Sequence, residues 1–153
     1  MKYFAGMPYP KYAMLLLAVI TLAVTGRAQS AQDVDSLEAV YRRLPDDTVK
    51  AKTLYDLAFT LVQSNPEAAM QKTHELMRLS VKINFPKGRA MALDVQGNIY
   101  RMQGKYMDAV SRHFEALHIY DSLGFRNGYR NVLVNTGSDY TYLKNYPKAI
   151  EFF

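Results

Sequence analysis

Seven landmarks of this chain return at one offset of forty residues, and that recurrence restricts the fold more than any other feature. Phe85, Gly88, Leu93, Gly97, Tyr100, Tyr106 and Ala109 are answered by Phe125, Gly128, Leu133, Gly137, Tyr140, Tyr146 and Ala149. A fixed stride of this length marks a stacked array, in which no unit can bury its apolar face alone and each neighbour supplies the missing wall. Within the unit, Leu93, Gly97 and Tyr100 fall at i, i+4 and i+7, so one stripe of a first helix faces a partner. Ala109 and Ala116 mark the facing stripe of a second helix, and Gly104 with Lys105 forms the turn between them. Gly97 reads as a packing residue, because a helical glycine costs roughly 0.5 to 1 kcal/mol relative to alanine and needs a close contact in return. The expectation is an all-α fold, an α-solenoid of antiparallel helix-turn-helix units with a period of forty residues.

From Leu93 to Phe153 the residues resemble the tetratricopeptide repeat (TPR) family. The middle copy carries Leu93, Gly97, Tyr100, Ala109, Phe114 and Ala116, and the third carries Leu133, Gly137, Tyr140, Ala149 and the pair Phe152 and Phe153. The chain departs from the family pattern in several places. Phe114 lies one place late, with His113 in the usual aromatic slot, and no tryptophan opens a repeat. The stride exceeds the family's common value of about 34, and the extra residues are assigned to a longer second helix and the loop Asp121 to Gly128. HEAT and armadillo arrays also have long periods; the Gly-x-x-Tyr and Gly-x-Tyr-x-x-Ala runs favour the TPR likeness. The resemblance implies that first helices line an inner surface and present side chains to a protein or peptide partner. Those side chains would be Met91, Asp94, Asn98, Arg101 and Met102 in the middle repeat, and Asn131, Val134, Ser138, Thr141 and Tyr142 in the third. They make a mixed polar surface with one positive charge, suited to backbone amides or a carboxylate. The family's clamp for carboxyl-terminal chaperone tails wants Lys and Asn where this chain has Leu54 and Ala58, so that activity is not implied.

Residues 1–28 read as a secretory leader: Lys2 and Lys11, the apolar run Ala13 to Val24, then small residues. The run is shorter than the roughly 20 residues a spanning helix needs. Cleavage is placed after Ala28 or Ser30, and an uncleaved amino-terminal anchor is the alternative. Such a leader implies a periplasmic or secreted product. With no cysteine in the chain, stability in an oxidising compartment rests on packing alone. Three of the 19 Lys and Arg residues lie in the leader, leaving 16 against 14 Asp and Glu. These are interspersed with no basic run to follow phosphates, which argues against nucleic-acid binding.

Downstream, residues 29–48 form a capping helix and linker, with Val34, Leu37, Val40, Tyr41 and Leu44 on one face of a helix from Asp33 to Leu44. The array itself occupies 49–153, as a degenerate repeat (49–86), a repeat (87–126) and an incomplete one (127–153). In the degenerate repeat Leu57 replaces the expected glycine and Thr53 the expected leucine, which predicts looser contact with the partner helix. Asp46 and Asp47 read as a helix cap, and Asn65-Pro66-Glu67 as a restart, with a second helix running to about Asn84. The final stretch from Tyr146 leaves Ala149, Ile150 and Phe153 without cover. This suggests a piece of a longer protein that self-associates or frays at its end.

No catalytic or cofactor constellation emerges. His113 and His118 are five apart on one helix, unlike the i, i+4 spacing of paired ligands, and read with His74 as partly exposed helix histidines. Ser111, Ser122 and Ser138 lack a nucleophile elbow, and Gly124 to Gly128 lacks the Lys-Ser/Thr ending of a phosphate loop. Tyr100, Tyr106, Tyr140 and Tyr146 are assigned to the core. Two functions stay open: a non-catalytic protein-binding scaffold, or the input region of a longer membrane signalling protein. On this reading Gly97→Leu is costly, whereas Asp94→Ala costs little.

Overall fold

Asparagine, proline and left-handed turns fix where each helix starts and stops. Asn65 accepts from the amide of Ala68, Pro66 takes the first helical position and Glu67 lies near the positive end of the helix. The computed structural model describes residues 32–153, and among them every regular element is a helix. These are α1 (32–41), α2 (Thr48–Leu61), α3 (Pro66–Lys82), α4 (Pro86–Met102), α5 (Tyr106–Ser122), α6 (Arg126–Tyr142) and α7 (Tyr146–Phe152). The secretory-leader reading of 1–28 and both cleavage positions lie outside the described residues. No described helix is long and apolar enough to cross a membrane.

The turns are chemically alike. Asn84, Gly104, Gly124 and Lys144 have φ of 51°, 74°, 62° and 58°, the left-handed conformation that ends a helix. The next residue's amide then donates back five positions: Phe85 to Ser80, Lys105 to Tyr100, Phe125 to Tyr120 and Asn145 to Tyr140, at 2.7 to 2.9 Å. Carbonyls that a helix end leaves free are satisfied in this way, so three residues suffice for each connection. The expected loop from Asp121 to Gly128 is correspondingly shorter: α5 runs to Ser122, and Arg126 to Gly128 are the first turn of α6. Likewise α3 ends at Lys82, since Asn84 has left the helical region. At the amino-terminal end α1 stops at residue 41, short of Leu44, which precedes Pro45 and is biased away from helix. Val40 is exposed rather than on a shared apolar face.

Leu37–Phe153 forms a compact unit. Each helix from α2 onward packs on its sequence neighbours, and α4 also touches α2 and α6. Sitting in the middle, α4 is covered on every side, and all its residues from Ala90 to Ile99 are buried. Small residues permit this, with Ala90, Ala92, Ala109, Ala116 and Gly97 at the contacts.

At Gly97 a methyl group would strike the imidazole of His113, and at Gly137 it would come within 2.8 Å of the Phe153 ring. The offset of forty thus extends to the second-helix residues that cover these glycines. His113 is fully buried, which corrects the expectation of a partly exposed histidine: it fills the slot that Gly97 leaves. Leu57, expected to loosen contact with the partner helix, is itself buried, while α2 touches α3 less extensively than α4 touches α5. Leu57 and Thr73 stand at the positions matching Gly97 and His113, and both are fully buried. Here the large residue lies on the first helix and the smaller one on the second, the reverse of Gly97 and His113. Tyr140 is buried and Tyr100 and Tyr106 are half-buried, but Tyr146 is exposed because its position opening α7 leaves it outside the helix contacts. Ala149 is buried although it was expected to lack cover, while Ile150 and Phe153 are exposed.

Candidate functional site

Met91, Asp94, Asn98 and Arg101 follow one another at helical spacing and form a single stripe of α4. That stripe does not face solvent. Met91, Asp94 and Asn98 are buried, and Arg101 is largely covered. The cover comes from α6: the Asn135 side-chain amide donates to Asp94 Oδ1 at 2.8 Å, and Arg101 donates to Asn135 O at 3.2 Å. Of the middle-repeat residues proposed for partner contact, Met102 alone is exposed. The matching stripe on α6 is open. Asn131 and Thr141 are exposed, Val134 and Tyr142 are each more than half exposed, and Ser138 is partly so. Tyr142 stacks on Tyr106 with ring centroids 5.2 Å apart and an interplanar angle of 12°. The hydroxyls of Ser138 and Thr141 donate back to the carbonyls of Val134 and Gly137, which turns their oxygens into outward acceptors.

Behind the stripe of α4 lies a buried ionic cluster drawn from three helices. His113 Nδ1 is 2.5 Å from Asp139 Oδ2, with both side chains fully buried. Its Nε2 faces the backbone oxygen of Asp94 at 3.3 Å and the Asp94 carboxylate at 3.6 Å. Arg101 donates to Asp139 Oδ1 at 3.0 Å and to Asn98 Oδ1 at 2.5 Å. Burial pushes the Asp94 carboxyl above its usual range, against the opposing pull of His113, Asn135 and Arg101. Asp94 raises its neighbours in turn. The Tyr55 phenol is pushed up to about 12, mainly by its own burial and then by Asp94, and Tyr120 is raised for the same two reasons.

The chemistry of this cluster is connective. Arg101 is committed to Asp139, so it does not offer the free positive charge the sequence suggested. Asp94→Ala is not the mild change expected from an exposed position, because it strips Asn135 of its buried acceptor. Sequence reasoning missed Asp139 and Asn135, although a signal was present. Asp139 falls forty residues after Ile99, and both are fully buried, so an acid occupies a core position and requires partners.

A second polar region lies where α2 and α3 meet Tyr41. A groove of about 350 Å³ is lined there by Tyr41, Lys50, Leu54, Glu75, Arg78 and Lys82, among others. Asp47 is the helix cap, accepting from the amides of Val49 and Lys50. Asp46 instead pairs with Lys82 and Lys50, which together hold its carboxyl down at about 2. With two of its cations so occupied, the groove is a salt-bridge cluster. Among the described residues no group of three or more His, Cys, Asp or Glu could hold a metal ion. In comparison with known proteins, no family model and no curated protein matches the chain.

Proposed function

We propose that the chain is an α-solenoid of TPR units, exported by the leader at 1–28, that binds an extended protein or peptide without catalysing a reaction. The observation that carries this reading is the open stripe of α6, where Asn131, Val134, Ser138 and Thr141 lie beside the exposed, ring-stacked Tyr142. The even spacing of helix starts at Pro66, Pro86, Tyr106, Arg126 and Tyr146 supports the array. Backbone amides of an extended peptide suit the acceptor oxygens of Ser138 and Thr141. The aromatic pair offers an apolar platform for one peptide side chain, the kind of residue that dominates binding energy at interfaces.

Selection from a random peptide display library, followed by fluorescence titration of the selected peptides, tests the proposal. Tyr142→Ala should weaken binding about tenfold or more if Tyr142 anchors the ligand. Failure to select any peptide, or an unchanged affinity in the variant, would refute the assignment of this face. Export is checked separately by the amino-terminal mass of the protein after secretion, with a start at Gln29 or Ala31 expected.

A further inference from the structure

Ionisable groups shut away from water must balance their charges among themselves, and here the balance depends on one proton. The charged or titratable groups facing His113 of α5 are Asp94 from α4 and Asp139 from α6, and Arg101 of α4 joins the cluster through Asp139. The phenols of Tyr55 on α2 and Tyr120 on α5 lie within the field of Asp94. From α3 and α7 no hydrogen bond or ion pair reaches the cluster among the described residues.

With both carboxylates ionised, Arg101 charged and His113 neutral, the set carries one net negative charge. One added proton cancels it. The groups around it are placed to use that proton. Both ring nitrogens of His113 face oxygen atoms, so a doubly protonated ring donates on both sides, whereas a neutral ring aims a lone pair at one oxygen. The Asp94 carboxyl can hold a proton, since burial favours its neutral form.

We propose that a single proton held by this buried cluster locks α6 onto α4 and α5, making this junction a pH-sensitive joint that loosens as the proton leaves. The sign follows from linkage: the closed form binds the proton more tightly than the open form. The lock is therefore complete on the acid side. It weakens by up to about tenfold in the opening constant per pH unit as pH rises through the titration of the closed cluster. Because α6 carries Ser138, Thr141 and Tyr142, loosening would shift these residues relative to Met102 on α4. The joint does not depend on whether that face binds a peptide.

Amide hydrogen exchange on the whole protein across a pH series, expressed as protection factors, provides the test. In the wild type, protection in α6 should fall with rising pH relative to α3, by as much as about tenfold per pH unit. Asp94→Asn keeps an acceptor for Asn135 while removing the titrating carboxyl, and should give a flat profile. Should that variant fail to fold, Asp94→Leu paired with Asn135→Leu removes the same carboxyl together with the amide that depends on it, leaving Arg101 and Asp139 to balance each other. A flat wild-type profile, or a folded variant with the wild-type slope, overturns the proposal.

Discussion

Gly97 and His113 show how one residue can be legible when its partner is not. The recurrence of Gly97 at Gly137 indicates a tight contact from sequence alone, and the imidazole of His113 occupies the space a side chain would fill. Gly97→Leu is expected to cost about 1 to 3 kcal/mol through overpacking, measured by urea denaturation. A smaller loss would mean that His113 can move aside despite its bond to Asp139. Burial of Asp94 and Asn98 was not legible, because a polar residue on an amphipathic helix looks solvated until the neighbouring helix is placed. Asp94 is bonded by Asn135, more than thirty residues later in the chain. The same difficulty hid the role of Arg101, whose charge reads as free in sequence but is matched by Asp139 in the fold.

At the scale of the elements, helix identity and most boundaries could be read from proline, glycine and the caps. Asn65 and Asp47 behave as cap residues should. One missed boundary falls where a non-glycine residue ends a helix: Asn84 has positive φ, and the helix expected to reach it stops at Lys82. Lys144 is the other such position, with φ of 58° and a β-carbon that disfavours this conformation. Gly104 and Gly124 occupy the matching places in the two preceding turns. Lys144→Gly should therefore raise stability by about 0.5 to 1 kcal/mol, or leave α7 better protected in hydrogen exchange. A loss of stability would show that the lysine side chain contributes more to this turn than its backbone conformation costs.

For the molecule as a whole, the two contacts of α4 with its flanking first helices differ in kind. Toward α2 the contact is apolar, with Ala58, Val62, Val95 and Ile99 in one cluster that includes Ala69 of α3. Toward α6 it is ionic and hydrogen-bonded. Apolar burial weakens on cooling, so low temperature at acid pH should reduce amide protection in α2 before α6, a ranking that hydrogen exchange near 0 °C can check. Equal loss in both helices would mean that the two contacts open as one. The reversed order of sizes at Leu57 and Thr73, both fully buried, relative to Gly97 and His113 limits which substitutions each place accepts. Neither pair can reach the other's arrangement by a single tolerated substitution: one step leaves a hole and the other a clash. Each helix pair is therefore confined to its own arrangement, and a hybrid that places α2 against α5, or α4 against α3, must import both members together.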